Sequence, residues 1–562
     1  MTDKDKAELV YTALGGAGEI GMNCYLYGLG RGSGADWIVV DLGIGFGDME
    51  TSPGVELVLP DIGFLRQISK RVKGLFVTHA HEDHIGAIPH LWASIGAPIY
   101  ARPFTAELVR RKLEEAGQDT RIVREVSPGQ AVDAGRFSVR FLPITHSIPE
   151  ASMLAIAAPQ GTVVHSGDFK LDPDPQLGDP YDLSPYEELG REGVLALACD
   201  STNVFLAGQA GSESEITANL RRIIRAAPGA VAATSFASNV ARLKTLATAA
   251  HDVGRSIVVA GRAMRRMIEV AVETGQLKDF PPVVPDDQAS QIPRENLFFL
   301  VTGSQGEARA ALARIAGGSH PSVKLRDGDT VLFSSKTIPG NEAGIYRLYN
   351  KLSEQGIRVI DSEMERIHVS GHARRDDLEK IYEVLKPKVS VPIHGEHRHL
   401  VEHAKWAREW GASHALVVPN GSVARLDGNS PGVVDEVETG RIYLDGHAMI
   451  GAMDGVIRDR LKLARQGHVV LSLVIDEDGT LIADPDAKVI GGPQQHESWP
   501  DTLAGMIAEA VDEAIEGAAP KAKRTDAAVE DLAGKAARRV CTRYWGKKPV
   551  MTVMVTRLED ED

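Results

Sequence analysis

The residues with the clearest chemistry lie in one six-residue stretch, which holds the histidines His79, His81 and His84 and the aspartate Asp83. The stretch directly follows the apolar run 75–77, which is typical of a buried strand. On a strand-to-helix turn such side chains can converge on one point. Histidine and carboxylate are the ligands that a divalent cation such as zinc or manganese prefers. The stretch therefore predicts a metal site rather than a solvent-exposed polar loop.

Three further candidates stand at the ends of predicted strands: His146, Asp168 and Asp41. His146 comes after the apolar run 139–142, and Asp168 comes after the run 162–164. Taken singly, each signal is weak, because a lone polar residue after a strand is usually a surface residue. Together with the first stretch, they indicate a larger set of ligands gathered at strand ends.

The elements that would position these residues are short apolar runs separated by glycine-rich turns. Runs of this length bounded by Gly, Pro or Asp predict buried strands. The predicted strands of this first part are 37–40, 74–77, 99–100, 162–164 and 194–197, with a helix over 105–116. The pattern predicts an α/β layered domain.

From about residue 210 the pattern becomes a strict alternation of helix and strand. The predicted helices are 214–226 and 239–253, the predicted strands are 230–234, 256–260, 297–301 and 330–333, and 278–291 is a predicted loop. Such alternation predicts a parallel sheet with helices on its faces. Strands of the first style return at 357–360 and 389–393. We therefore infer that the second domain is inserted into the first.

The C-terminal part has the pattern of a separate small domain. A hairpin is predicted from strand 469–475, a turn at Asp478-Gly479 and strand 480–483. Helices over 501–516 and 526–543 and a strand over 550–556 follow. The expected divisions of the chain are a metal-binding domain over 1–208 and 356–450, an inserted domain over 209–355, a linker over 451–466 and a C-terminal α+β domain over 467–562.

Length and composition restrict the class of protein. At 562 residues the chain is too long for one hydrophobic core. It has no apolar run long enough to span a membrane, and its charged N-terminus is unlike a secretory signal. The cysteines Cys24, Cys199 and Cys541 lie too far apart to suggest a disulfide framework or a thiolate metal cluster. We therefore expect a cytoplasmic protein that does not act at a membrane.

The net charge of −15 argues against a protein that coats nucleic acid, because phosphate neutralisation supplies much of the affinity of such proteins. It leaves room for an enzyme whose metals and local basic channel face the substrate. Arg262, Arg265 and Arg266 form a cluster that could line such a channel or cover a solvated helix face. Charge alone favours a small-molecule enzyme, which stays open as an alternative.

Residues 79–84 match the His-x-His-x-Asp-His signature of the metallo-β-lactamase fold, and the chain resembles its β-CASP nuclease group in three further motifs. These motifs are Cys199-Asp200-Ser201-Thr202-Asn203, Ser370-Gly371-His372-Ala373 and Pro392-Ile393-His394-Gly395-Glu396. The resemblance implies an αββα metallo-β-lactamase sandwich with an inserted α/β β-CASP domain. RNA-processing members of the group carry a histidine in the third motif, so His394 indicates an RNA substrate.

The resemblance also implies roles for the candidate residues. One metal would be held by His79, His81 and His146 and the other by Asp83, His84 and His394, with Asp168 bridging them and Asp41 orienting a ligand histidine. The implied cofactors are two divalent ions, zinc first and manganese or magnesium as alternatives, which activate water to attack the scissile phosphate. The implied catalytic residues are His372, Asp168, Asp83 and Asp200, of which His372 would stabilise the transition state or protonate the leaving oxygen.

Finer features resemble the bacterial ribonuclease J family. By this resemblance Ala237, Ser238 and Asn239 contact the RNA backbone, and the segment His368-Val369-Ser370-Gly371-His372 receives the 5′-terminal phosphate. The C-terminal domain would support a homodimer or homotetramer, and an RNA-degradation complex is a further expected partner besides single-stranded RNA. Some relatives hold a structural calcium, for which Asp48, Glu50 and Asp445 are candidates that match poorly.

The resemblance implies a metal-dependent RNase that degrades 5′-monophosphorylated RNA from its 5′ end, with added endonuclease capacity, in mRNA decay and rRNA maturation. An endonuclease-only RNA-processing factor of the same group is the first alternative. The inserted domain and His394 oppose a small-molecule hydrolase of lactamase type. An inactive RNA-binding scaffold should have lost metal ligands, and all seven are present.

Overall fold

The computed structural model describes residues 8–30 and 34–558. The chain divides into two compact units, one formed by Met1–Gly45 and Val58–Arg441 and the other by Phe46–Leu57 and Ile442–Asp562. Within the described ranges, no helix combines the length and the apolar character that crossing a membrane requires.

The first part of the chain is built mostly from strands. Its strands are β1 (Leu9–Gly15), β2 (Ala17–Gly18), β3 (Cys24–Leu29), β4 (Asp36–Val40), β5 (Gly45–Phe46), β6 (Leu57–Pro60), β7 (Val72–Phe76), β8 (Ile99–Ala101), β9 (Val123–Glu125), β10 (Ala131–Ala134), β11 (Phe137–Pro143), β12 (Ser152–Ala158), β13 (Gly161–His165) and β14 (Val194–Asp200). Its helices are α1 (Gly63–Gln67), α2 (Glu82–Ile85), α3 (Ile88–Leu91), α4 (Pro103–Glu115) and α5 (Ser184–Glu192). Helix α4 begins two residues before the predicted start, because Pro103 occupies the first helical position, where a missing N–H costs little.

The inserted part alternates helix and strand, as predicted. Its elements are α6 (Ser214–Ala226), β15 (Val231–Thr234), α7 (Val240–His251), β16 (Ser256–Ala260), α8 (Arg262–Glu273), β17 (Leu297–Val301), α9 (Ala311–Ala316), β18 (Thr330–Phe333), α10 (Glu342–Ser353) and β19 (Arg358–Ile360). The strands form one parallel sheet in the order β16-β17-β15-β18-β19. Two expectations need correction. The predicted loop 278–291 ends in a 3-10 turn, Asp286–Gln291, and β19 pairs with β18 in the inserted sheet rather than returning to the first domain.

The chain then returns to the first domain. The elements of this part are α11 (Arg375–Leu385), β20 (Val389–Ile393), β21 (Gly395–Glu396), α12 (His397–Glu409), β22 (His414–Ala415), β23 (Ser422–Arg425) and β24 (Gly432–Glu436). They complete two mixed sheets, ordered β24-β23-β1-β3-β4-β7-β8-β9 and β10-β11-β12-β13-β14-β20-β22.

The two large sheets pack face to face over one apolar core. Tyr11 and Phe76 of the first sheet and Phe141 and Ile156 of the second belong to this core. A further cluster packs helices α5, α11 and α12 against the outer face of the second sheet. The predicted sandwich with an inserted α/β domain is therefore present.

The second unit contains a small sheet covered by two helices. Its elements from residue 441 onward are β25 (Arg441–Asp445), β26 (Ala448–Gly451), α13 (Val456–Gln466), β27 (His468–Ile475), β28 (Asp486–Ile490), α14 (Leu503–Glu516), α15 (Asp526–Val540) and β29 (Val550–Arg557). Strand β27 lies in the middle, antiparallel to β28 and parallel to β29, and its buried residues pack with α14 and α15.

One prediction about this unit was wrong in detail. The longer returning strand is β28 at 486–490, while the predicted strand 480–483 pairs with the end of β27 through the Ile475–Leu481 bridge and two backbone hydrogen bonds of 2.9 Å, Asp476 to Thr480 and Ile482 to Val474. The predicted linker 451–466 contains helix α13.

Candidate metal centre

Parallel strands deliver the candidate ligands to one edge of the sandwich. Strands β4 and β7 run parallel in the first sheet, and β13, β14 and β20 run parallel in the second. The carboxyl ends of parallel strands meet at the same edge. Asp41 and His394 each directly follow a strand in the left-handed conformation, with φ of 60° and 51°. This conformation is uncommon for residues other than glycine, and it turns the chain sharply where the strand ends.

The structure brings the seven predicted ligands together in two groups that share Asp168. The groups are His79, His81, His146 and Asp168, and Asp83, His84, Asp168 and His394, with the ligand atoms of each group within 4.8 Å of one another. These residues come from segments as far apart as residues 79 and 394. The side chains are able to hold two metal ions in the division that the sequence predicted.

The contacts within the first group fit a cation. His79 Nε2 and His146 Nε2 lie 3.1 Å and 3.3 Å from Nδ1 of His81, so three imidazoles turn nitrogens toward one another. Asp168 Oδ2 lies 3.8 Å from His79 Nε2, while its buried Oδ1 makes no hydrogen bond among the described residues and lies 3.4 Å from His394 Nδ1 of the second group. Buried polar atoms without partners are costly, and a bound metal ion removes that cost.

The imidazoles of the first group are suited to be neutral ligands. Burial is the largest cause that lowers the pKa of His79, His81 and His146, and neighbouring imidazoles add to it through charge repulsion. The pKa of His81 falls to about 4. A neutral imidazole offers the lone pair that metal coordination needs.

The second group instead favours positive charge. Burial opposes protonation of His394, but Asp168 and the neighbouring carboxylates outweigh it and raise its pKa to about 10. The pKa of His84 is likewise raised well above its usual value, despite burial, by Asp168 and Asp83. The carboxylates thus create a potential that a divalent cation can satisfy in place of protons.

Asp41 lies behind the second group and orients His84. Its Oδ2 accepts a hydrogen bond from His84 Nδ1 at 2.7 Å, while the backbone N–H and hydroxyl of Thr78 donate to the same carboxylate, each at 2.8 Å. Asp41 is fully buried. The bond leaves His84 Nε2 directed at Asp168 Oδ2, 3.2 Å away.

His372 lies beside the ligand groups and pairs with Asp200. Nδ1 of His372 is 2.9 Å from Asp200 Oδ2 and 3.9 Å from Asp168 Oδ2. Burial opposes its protonation, but Asp200 and Asp168 raise the pKa of His372 above its usual value. With His394, these three residues form a third group of clustered ligand atoms. The arrangement can hold a proton next to the metal centre.

Among the residues that touch the ligands, Asn23 and Thr202 were missing from the predicted site. Asn23 is buried, and its Nδ2 lies 3.0 Å from the Asp83 carbonyl and from His84 Nε2. No local pattern marks Asn23, which precedes these ligands by about sixty residues. The hydroxyl of Thr202 lies 2.9 Å from His394 Nδ1. Thr202 stands inside the first β-CASP motif, so its position there was a usable signal.

The predicted RNA-binding residues lie around a second feature, a basic cavity. Asn239 caps helix α7 by accepting from the Arg242 N–H, and Ala237 and Ser238 are half-buried beside it. His368, Val369 and Ser370 line a cavity of about 190 Å³, whose charged lining residues are Lys336, Arg366 and Arg374. From this lining the segment continues directly to His372 in the ligand groups.

The geometry does not favour the predicted calcium site. Asp445 forms an ion pair with Arg460, and Asp48 Oδ1 accepts from the backbone N–H groups of Glu50 and Thr51, both at 2.8 Å. In the described ranges, the groups of three or more potential ligands do not include Asp48, Glu50 or Asp445. The calcium site stays a prediction without geometric support.

Models of known families match nearly the whole chain. The metallo-beta-lactamase superfamily model matches residues 17–228, and the model of the ribonuclease J beta-CASP domain matches 228–352. The model of the Zn-dependent metallo-hydrolase RNA specificity domain matches 356–418, and that of the ribonuclease J C-terminal domain matches 455–558. The predicted fold class is thereby confirmed.

Full-length relatives carry the same name. The chain is 42% identical over 558 residues to a ribonuclease J of Sinorhizobium meliloti, covering 98% of each chain. It is 38% identical to a ribonuclease J 1 of Streptococcus pyogenes, covering 84% of each chain. It is also 36% identical to a ribonuclease J of Thermus thermophilus, covering 84% of this chain and 83% of that one. The chain belongs to the ribonuclease J family of metal-dependent nucleases.

Proposed function

We propose that the protein is a 5′-to-3′ exoribonuclease that prefers RNA with a 5′-monophosphate and acts in mRNA decay and rRNA maturation in the cytoplasm. The observation that carries the proposal is the basic cavity beside the ligand groups. Its lining includes His368 and Ser370, and the next residue, Gly371, accepts a hydrogen bond through its carbonyl from His146 Nδ1 at 2.6 Å.

The short distance from the cavity to the ligand groups suits removal of one nucleotide at a time. A 5′-phosphate held by Lys336, Arg366, Arg374 and the side chains of residues 368–370 would place the next phosphodiester near Asp168 and His372. Two buried hydroxyls at the end of β15, Thr234 Oγ1 and Ser235 Oγ, make no hydrogen bond among the described residues and are further candidates for contact with RNA.

For the metals, we propose that His79, His81 and His146 would hold one ion and that Asp83, His84 and His394 would hold the other, with Asp168 shared by the two groups. The ions are zinc, with manganese or magnesium as the alternatives. When bound, such ions supply Lewis-acid activation of water and neutralise charge on the phosphoryl oxygens. Asp83 and Asp168 act in the reaction by fixing these positions.

In the same proposal His372 is the proton donor for the leaving 3′-oxygen. Asp200 holds its Nδ1 and favours the protonated ring, so the imidazole can donate from Nε2. Asn203 supports the segment by donating to Ser370 Oγ at 2.9 Å and to the His372 carbonyl at 3.2 Å. Hydrolysis leaves a 5′-phosphate on the shortened RNA, which is the preferred end for the next cycle.

Two further parts of the proposal concern assembly. We propose that the C-terminal domain supports a homodimer or homotetramer, and that the enzyme works with single-stranded RNA alone or within an RNA-degradation complex. The support is the match of residues 455–558 to the ribonuclease J C-terminal domain.

The test uses one 3′-labelled RNA that carries a 5′-monophosphate, a 5′-triphosphate or a 5′-hydroxyl, with zinc or manganese supplied. The proposal predicts that mononucleotides are released fastest from the monophosphorylated RNA. Discrete internal fragments, formed at equal rates from all three RNAs, would support the endonuclease-only alternative and contradict the proposal.

A further inference from the structure

Arg242 is a fully buried arginine near the start of helix α7. Its guanidinium forms a bidentate ion pair with Glu213, which is also buried. Nε of Arg242 donates to Oε2 at 2.9 Å, and Nη2 donates to Oε1 at 2.7 Å. A buried charge is tolerated only when it is paired and hydrogen-bonded. The metal centre and the reaction proposed above use neither residue.

The rest of the guanidinium faces the segment that lines the basic cavity. Nη1 donates to the carbonyl and hydroxyl of Ser334 at 2.8 Å and 2.9 Å and lies 3.0 Å from Nδ1 of His368. Nη2 donates to the Val369 carbonyl at 3.1 Å. One side chain therefore ties the residue after strand β18 to both the ring and the backbone around His368.

The contact favours one position for the proton of the His368 ring. Arginine has only donors, so the Nδ1 that lies 3.0 Å from Nη1 is placed to accept and favours the ring without a proton on Nδ1. The single proton of a neutral imidazole is then on Nε2. A second proton is disfavoured, because burial and then the charge of Arg242 lower the pKa of His368 well below its usual value.

Other groups around His368 do not reverse this conclusion. Lys336 and Lys170 add to the repulsion of a second proton, while the Ser334 carbonyl acts in the opposite direction. That carbonyl also accepts a hydrogen bond from Arg242 at 2.8 Å, which weakens its attraction for a second ring proton. His368 is thus set as a neutral donor, and the cavity takes its positive charge from other residues.

Buried contacts connect the same arginine to the ligand groups. The backbone N–H of Glu213 donates to Asp172 Oδ2 at 3.3 Å, and Asp172 pairs with Lys170 at 2.7 Å. Lys170 is buried two residues after Asp168. The network runs without a gap from the strand end that carries Asp168 to the ring of His368.

We propose that Arg242 is a positioning residue of the 5′-phosphate pocket, holding His368 as the neutral tautomer with its proton on Nε2 and fixing residues 367–369 relative to the metal centre. The inference rests on the proposed function. In the pocket, His368 donates to a phosphate oxygen while Lys336, Arg366 and Arg374 balance the phosphate charge.

The kinetic test compares kcat and KM for one RNA with a 5′-monophosphate or a 5′-hydroxyl. Arg242→Lys keeps the charge but loses the planar fork. We expect Arg242→Lys to reduce the preference for the 5′-phosphate, measured as kcat/KM for the 5′-monophosphate RNA divided by kcat/KM for the 5′-hydroxyl RNA, by about tenfold or more. The loss should come from a higher KM for the phosphorylated RNA, because the hydrogen bond from His368 to the charged phosphate is weakened. The readout is the difference between the two RNAs: the loss should be larger in KM for the phosphorylated RNA than in any parameter for the 5′-hydroxyl RNA.

Arg255→Lys is the matched control. Arg255 is a buried arginine of the same inserted domain, and it donates to the carbonyls of Ile224, Ala227, Gly229 and Leu297, away from the cavity. The Arg255→Lys variant should unfold at a lower temperature than wild type but keep the wild-type preference for RNA with a 5′-phosphate. A folded Arg242→Lys variant whose preference stays within twofold of wild type would overturn the inference.

A second measurement does not depend on activity or on a folded variant of Arg242. In the wild-type protein labelled with ¹⁵N-histidine, the ring signals that disappear in His368→Gln belong to His368. We expect long-range ¹H–¹⁵N correlations at pH 7 to show a neutral ring protonated on Nε2. A proton on Nδ1, or a doubly protonated ring, would overturn the inference even if the enzyme prefers 5′-phosphate RNA. Equal hydrolysis of both RNAs by wild type, together with the expected ring signals, would instead overturn the proposed function and leave the tautomer assignment standing.

Discussion

Asp41 shows how a residue outside the ligand groups can control a metal site. It fixes the ring of His84 through a bond of 2.7 Å and is itself held by Thr78. Such carboxylate–histidine contacts set the tautomer and orientation of a ligand and raise its basicity. Loss of the carboxylate charge should therefore weaken one metal position more than the other.

We expect Asp41→Asn to reduce metal affinity at the group of Asp83, His84 and His394 by about tenfold to a hundredfold. The group of His79, His81 and His146 should change far less. Competition with a chelator, followed by metal analysis, separates the two positions. Asp36→Asn is the control, because Asp36 lies on the same strand but pairs with Lys73 and Arg136. Equal affinity in the Asp41 and Asp36 variants would contradict this role of Asp41.

At the residue scale, the sequence singled out the side chains that the structure gathers, because their types are rare in combination and stand at strand ends. His79, His81, Asp83 and His84 are close in sequence, and the other ligands follow apolar runs. Asn23 could not be predicted, because it is a single buried asparagine about sixty residues before the ligands that it touches, and no local pattern marks it. The tautomer of His368 depends on Arg242, more than a hundred residues away, and needs coordinates to be seen.

At the element scale, the segment after β19 must pass very close to the metal ligands. A Cβ at Gly371 would lie 2.9 Å from His146 Cε1 and 3.1 Å from Ser147 Cβ. His146 Nδ1 also donates to the carbonyl of this residue. The glycine thus allows the cavity-lining segment to contact a ligand histidine directly.

Gly371→Ala should lower kcat by about tenfold or more, because the added methyl displaces the His146 ring and even a small misplacement is costly in catalysis. The measurement is kcat at saturating metal, together with the thermal midpoint. Gly432→Ala, in an open position on β24, is the control and should leave kcat unchanged. If Gly371→Ala keeps full activity, the segment does not set the position of His146.

Helix α12 carries a buried histidine that makes stability depend on pH. His403 contacts Ser201 Oγ through Nδ1 at 2.9 Å and Tyr382 Oη through Nε2 at 3.0 Å, and burial lowers its pKa from 6.5 to about 4. Between these values the unfolded chain binds a proton that the folded chain does not. The contribution to stability is therefore complete at neutral pH and is lost as the pH falls.

For the wild type, this group alone should remove on the order of 2 kcal/mol of stability between pH 7.5 and pH 5. His403→Gln should unfold at a lower temperature at pH 7.5, since it loses hydrogen bonds, but its thermal midpoint should fall less on acidification. Thermal unfolding at the two pH values tests this, with the exposed His251→Gln as control. An equal drop for wild type and His403→Gln would rule out this source of the pH dependence.

Element prediction succeeded where hydrophobic period and length agreed, as in the inserted domain. The prediction failed for a strand whose sheet can be identified only from the strand that it pairs with. The residues of β19 look like the first domain, yet they pair with β18 because helix α10 returns the chain to the inserted sheet. The hairpin turns where the sequence predicted, but most of its ladder forms further along the chain, between β27 and β28.

At the scale of the whole molecule, the basic side chains are distributed unevenly. The chain is acidic in total, yet Lys336, Arg366 and Arg374 gather at one cavity, where Arg366 also pairs with Glu215. Two arginines of the basic cluster predicted at residues 262–266 form ion pairs. Arg265 pairs with Asp286, and Arg266 pairs with Glu115 of helix α4. Arg266 therefore helps join the inserted domain to the first domain, which argues against a simple RNA channel there.

The metal centre itself is a property of the intact chain. Its ligands come from both sides of the inserted domain, from His79 to His394, so no short segment contains the site. The sequence could predict this from the order of motifs. Which helix of the inserted domain faces the cavity-lining segment depends on packing and could not be predicted.

The most direct test of the account is the metal content of the intact protein, measured with its RNA cleavage on the same sample. Wild type, His81→Ala and the control His251→Ala are loaded with zinc or manganese, freed of excess metal and analysed by mass spectrometry. We predict about two ions per chain in wild type and control, about one in His81→Ala, and no RNA cleavage by His81→Ala. Cleavage by His81→Ala at the wild-type rate, or full activity of wild type after a chelator has removed all metal, would contradict the account.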